Sequence, residues 1–148
     1  MWPASFDLQF FPNRFKDGTY QSMTNETVVR FLSNWRVAPH LEITNMTVHS
    51  DARLNSGGYK FEITIKYLNL GNAGQAIKTE GYLLVHPFDP DYLVMICVDD
   101  KFDIHTETPD PMLHQLAEDW ISSIAFSDVS PVDRKLMREN GSWIKPAP

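Results

Sequence analysis

The acidic residues between Asp99 and Asp110 form the densest group of chemistry-bearing side chains in this sequence: Asp99, Asp100, Asp103, His105, Glu107 and Asp110. In an extended chain side chains alternate between faces, so Asp99, Asp103, His105 and Glu107 would share one face. Carboxylates with one imidazole make a mixed oxygen and nitrogen donor set, which suits a divalent cation. The order does not follow a calcium loop, which requires Asp-x-Asp-x-Asp-Gly, and Lys101 inside the run offsets part of its charge. The competing reading is a solvated connection that keeps a sheet edge soluble, with Asp110 lending its carboxylate to a helix N-terminus.

Other arrangements that carry chemistry are missing. His40, His49, His86, His105 and His114 show no His-x-x-x-His pair, and His86 and His114 read as surface or partly packed groups. The chain has no Gly-x-Ser-x-Gly, no Gly-x-Gly-x-x-Gly and no P-loop, so serine hydrolase chemistry and phosphate cradles are disfavoured. Paired carboxylates for glycoside chemistry are not singled out by any spacing. Cys97, the lone cysteine, lies in the most apolar run and reads as a small buried hydrophobe rather than a nucleophile. No catalytic residue is assigned and no cofactor is expected beyond the divalent cation that Asp99, Asp103, His105 and Glu107 would hold.

The chain has 148 residues, 43% apolar and 22% charged, enough for one domain without disulfides or metals as staples. A net charge of -6 and the lack of a strong Lys/Arg cluster argue against nucleic acid and against an anionic membrane surface. No run approaches the ~18 apolar residues of a membrane span. The N-terminal residues carry no signal peptide pattern, which suits a cytoplasmic protein, or an exported one whose leader has been removed. Asn25, Asn45 and Asn140 each open a glycosylation acceptor pattern, which matters only in a secreted eukaryotic protein.

These residues need elements to position them. Phe6–Phe10 alternates and reads as a short strand ended by Pro12, with a turn at Asp17-Gly18. Val28, Phe31, Leu32 and Trp35 fall on one helical face, so a helix is expected over Thr27–Arg36, capped by Thr24 or Asn25. A β-meander follows, with an irregularity near Asn45, a strictly alternating strand at Tyr59–Tyr67 and a strand at Ile77–His86 most buried at Leu83, Leu84 and Val85. Tyr92–Val98 is apolar on both parities, the pattern of a strand covered on both faces. A long amphipathic helix is expected from Pro111 to about Ala125, capped by Asp110, with an apolar stripe of Leu113, Leu116, Ala117, Trp120, Ile121 and Ile124. Ser130 would start a short helix reaching Glu139.

The expected fold class is therefore α+β: an antiparallel β-meander sheet with an N-terminal helix and a long C-terminal amphipathic helix packed on it. Residues 1–126 would form one domain and 127–148 an extension. The element order, with the strand–Asp-Pro–helix junction at Val94–Trp120, resembles the PsbP/Mog1/DcrB-like family over roughly Phe6–Phe126. That resemblance implies an αβα sandwich serving as a non-enzymatic accessory: a partner binder, envelope lipoprotein or secretion chaperone. The chain departs from it by lacking a lipobox cysteine and a signal sequence and by carrying Ser127–Pro148, and no functional residue carries over. Type III secretion chaperones share size and charge but differ in element order. The expected function is a binding or accessory module engaging a protein partner. The aromatic side chains near the N-terminus (Phe10, Phe11, Phe15, Tyr20) would form a partner groove if exposed. The alternative is an NTF2- or cystatin-like small-molecule binder or enzyme, with a pocket carboxylate or histidine as base.

Overall fold

The computed structural model describes residues 5–36, 39–51, 58–68, 74–103, 111–123 and 130–139, apart from the side chains of residues 113, 121, 122, 134 and 137. The elements run β1 (Ser5–Pro12), α1 (Asn25–Trp35), β2 (Leu41–Asp51), β3 (Gly58–Tyr67), β4 (Gln75–Val85), β5 (Tyr92–Asp103), α2 (Pro111–Ser123) and α3 (Pro131–Glu139). The five strands form one sheet in the order β1-β5-β4-β3-β2, and every neighbouring pair is antiparallel.

β5 is buried on both faces from Leu93 to Val98, as its neighbour β4 is from Thr79 to Leu84. From Leu93 to Val98 no side chain is more than 3% exposed. Leu93, Met95 and Cys97 point to the face covered by α1, where they meet Leu83, Phe61, Ile63, Ile65 and the helix residues Val28, Phe31 and Leu32. Val94 and Ile96 point the other way and pack with Tyr82, Leu84, Phe10 and Trp120. Burying each large aliphatic side chain contributes about 1.5–3 kcal/mol, and this strand contributes to both cores. The pairing with β4 is tight at Gly81, where an added Cβ would lie 2.3 Å from the Ile96 carbonyl oxygen and 2.7 Å from the Cys97 Cβ.

α1 forms for the reasons its sequence states. Thr24 accepts from the Thr27 amide, and the Thr27 hydroxyl accepts from the Thr24 amide, closing a capping box. At the other end Arg36 reaches over the sheet. Its Nη2 donates to Thr79 Oγ1 at 3.2 Å and to Asp99 Oδ1 at 3.1 Å, while the Thr79 hydroxyl donates to Asp99 at 2.5 Å. The connection from β1 to α1 is held by Asn13, 7% exposed, whose Nδ2 donates to the Pro90 carbonyl and whose Oδ1 accepts from the Phe15 and Lys16 amides. Gly18 takes a φ of 87°, as the turn at Asp17-Gly18 requires.

The expectation of a long C-terminal amphipathic helix packed on an α+β sandwich is overturned. Five strands of 8–12 residues dominate the described chain, and the C-terminal region holds two short helices of 13 and 9 residues. The apolar stripe of α2 is used only in part. Ala117 is buried, but Leu116 is 54% exposed. The described side chains through which α2 meets the sheet are His114, Ala117, Glu118 and Trp120, and Leu116 is not among them; the side chains of Leu113 and Ile121 lie outside the described residues. The Asp110 cap and the Ile124 position lie outside the described residues. Elsewhere the strand expectations hold, including the register shift between Ile43 and Asn45. Burial in β4 begins earlier than expected: Thr79 is fully buried and Glu80 6% exposed, while Val85 is only half-buried.

The contact at Gly81 gives a direct test of the β4–β5 pairing. Gly81→Ala must push backbone against backbone, and we expect it to destabilise the chain by about 3 kcal/mol, read as a lowered urea midpoint; a midpoint within error of the parent would show that the strands do not approach this closely.

Candidate functional site

Of the residues expected to bind a cation, the structure describes Asp99 and Asp103. β5 continues through Asp103, so Asp99, Asp100 and Asp103 belong to a paired strand and not to an exposed connection. Asp99 and Asp103 share a face but stand four residues apart on it, about 13 Å along the strand. The Asp99 carboxylate is engaged by Arg36 and Thr79 on the α1 side of the sheet. His105 and Glu107 lie outside the described residues.

A different charged group gathers on the opposite face, beneath α2. Strand register sets it. Glu62 on β3 is the direct partner of Glu80 on β4, Glu80 is opposite Val98 on β5, and Val98 is opposite Phe6 on β1. Two carboxylates side by side repel, and cations offset this. Lys78 Nζ lies 2.7 Å from Glu80 Oε1, and His114 Nδ1 of α2 lies 2.5 Å from Glu80 Oε2. Lys60 forms an ion pair with Glu118, one helical turn beyond His114. Burial works against the charge on Lys78, yet the hydrogen bond to Glu80 and the fields of Glu80, Glu62 and Asp100 hold its ammonium above the ordinary lysine range. One ligand atom each from Glu62, Glu80 and His114 lies within 4.8 Å of the others. The alternation of Tyr59–Tyr67 puts Lys60 and Glu62 together on its polar face. That reading lacked the register with β4 and the helix lying above it.

Beside this group the same face turns apolar. Phe6, Leu116, Asp119 and Trp120 line an open hollow between β1 and α2. Phe6 and Trp120 meet edge to face, their ring centroids 4.9 Å apart. Phe6 remains 48% exposed and its face neighbour Leu8 50%. The aromatic groove expected near the N-terminus lies elsewhere: Phe11, Phe15 and Tyr20 pack against Phe31 over the core and are half-buried. At the far end of the sheet α3 is tied down by Arg138, whose Nε donates to the buried Asp89 at 2.8 Å.

The two sheet edges differ. β2 carries a bulge between Ile43 and Asn45 and exposes Glu42, Thr44, Asn45, His49 and Ser50. β1 runs in unbroken register with β5 from Ser5 to Pro12, has no lysine, and pairs on its outer side with no strand among the described residues. No helix among the described residues is long and apolar enough to cross a membrane.

Cys97 is fully buried, as its setting in the sequence indicated. Burial and the neighbouring Asp99 carboxylate push its thiol from 9.0 up to about 12. The unfolded thiol therefore loses its proton near pH 9.0 while the folded one holds it to about 12. Between those values the unfolded state binds fewer protons, and stability falls as pH rises. We expect native chain to resist thiol reagents at neutral pH, and its urea midpoint to drop above pH 9.0, less steeply in Cys97→Ala. Rapid labelling of native chain would show an accessible thiolate instead.

No protein-family model, no curated protein and no solved structure matches this chain, so its own geometry is what its function must be read from.

Proposed function

We propose that the chain is a non-enzymatic binding module that takes an extended segment of a protein partner along the outer edge of β1. The observation that carries this reading is the contrast between the two edges. Soluble proteins blunt long strand edges with bulges, lysines or proline, because an open ladder of amides and carbonyls invites another strand. β2 is broken by a bulge, whereas β1 runs without one and carries only Asp7 and Pro12 of this kind; neither strand has a lysine. Added strands gain affinity from main-chain hydrogen bonds and specificity from pockets that take alternate side chains. The hollow at Phe6, Leu116 and Trp120 offers such a pocket beside β1. Its open shape suits a surface contact better than an engulfed small molecule.

Charge narrows the partner. The chain carries a net charge of -6, Asp119 lines the hollow, and Asp7 stands on β1 itself. An extended segment alternating apolar with Lys or Arg side chains complements both features.

The test is selection from a random peptide display library against the full chain. Enrichment of alternating apolar and basic segments is expected, with binding weakened at least about tenfold, or about 1.4 kcal/mol, by Phe6→Ser and by Leu116→Ser. Both positions are about half exposed, so the variants should fold. Selected peptides that bind these variants as well as the parent, or no enrichment at all, would refute the proposal.

A further inference from the structure

We propose that Glu62, Glu80 and His114 form a site for a divalent transition-metal ion of the zinc class. The site is independent of the β1 edge and draws on three elements, β3, β4 and α2. The donors are of mixed kind: two carboxylates from directly paired strand positions and one imidazole nitrogen from the helix above them. Calcium prefers six to eight oxygens, and magnesium keeps most of its waters. An imidazole with two carboxylates suits zinc, cobalt or manganese, leaving a fourth position for water.

The geometry is close to what an ion needs. Tetrahedral zinc with bonds of about 2.0–2.2 Å keeps its ligand atoms about 3.3 Å apart. Here one ligand atom from each residue lies within 4.8 Å of the others, and His114 Nδ1 lies 2.5 Å from Glu80 Oε2. An ion therefore requires that contact to open by less than about 1 Å while Glu62 closes in. Glu80, 6% exposed, is fixed by the strand, and His114, with its side chain 43% exposed, can move and keeps the site open to solvent.

The ion would compete with a cation already present. Lys78 Nζ holds Glu80 Oε1 at 2.7 Å and balances Glu62 through space. Lys78 is also the register partner of Asp100 on β5, whose field it feels, so its ammonium has a second acid to turn to when an ion takes its place. This arrangement makes a prediction that an ordinary ion-pair network does not. Removing Lys78 should tighten the metal, because the competing charge is gone.

Calorimetric titration of the full chain with Zn²⁺ tests the site, using His114→Ala, Glu62→Gln and Lys78→Met. One ion per chain is expected, weakened at least tenfold in His114→Ala and in Glu62→Gln and tightened several-fold in Lys78→Met. The Glu62→Gln side chain keeps its size, so that variant decides the matter if His114→Ala does not fold. Co²⁺ should add a visible absorption band in the parent that His114→Ala lacks. Absence of Zn²⁺ binding to the parent, binding unchanged in Glu62→Gln, or weaker binding in Lys78→Met would overturn the proposal.

Discussion

The structure depends on β5 being clamped between β1 and β4 with both of its faces buried. Backbone pairing on each side satisfies its amides and carbonyls, and the alternating side chains fill two cores at once. Gly81 allows β4 to approach where Cys97 would otherwise collide with a side chain. Among the described residues β1 pairs only with β5, and Asn13 fixes its end to the β4–β5 turn. α1 is anchored to the same two strands by Arg36 through Thr79 and Asp99. Loosening β5 would release the edge strand, the helix and the charged row together.

The two faces of this sheet do different work. The α1 face is a closed aliphatic and aromatic core, in which Asp99 serves Arg36 and Cys97 serves packing. The opposite face carries a row that passes from charged to apolar: Glu62, Glu80, Val98, Phe6. α2 sits over that row through His114, Glu118, Ala117 and Trp120. Polar docking of this kind is stabilising only while each buried charge keeps its partner. It also leaves Leu116 and Met112 outward, so the helix presents apolar surface beside an edge that no strand among the described residues covers.

Much of this was legible in the residues. The double burial of Tyr92–Val98 followed from apolar side chains on both parities, and the helix face of Val28, Phe31, Leu32 and Trp35 from its spacing. The bulge near Asn45 followed from a broken alternation. Other features depend on distant pairing, which local patterns do not encode. Phe6 becomes an edge residue only because Ser5–Pro12 joins β5, more than eighty positions later. Glu62, Glu80 and His114 meet only through register, and each alone reads as an ordinary surface group. The expected C-terminal helix departs from the structure because periodicity defines a stripe and no more. A hydrophobic stripe states which side chains share a face, not that a partner surface of matching width exists to cover it. The acidic run resembles a connection because local pattern does not show that β5 extends through Asp103.

The central claim is that β1 is a well-paired but open edge on a core organised by β5. Amide hydrogen exchange on the free full chain tests it most directly. The account predicts that β4 and β5 exchange only through global unfolding, while every second amide of β1 exchanges far faster because it faces solvent. Uniform protection along β1, equal to that of β5, would show that the edge is already covered and would contradict the account.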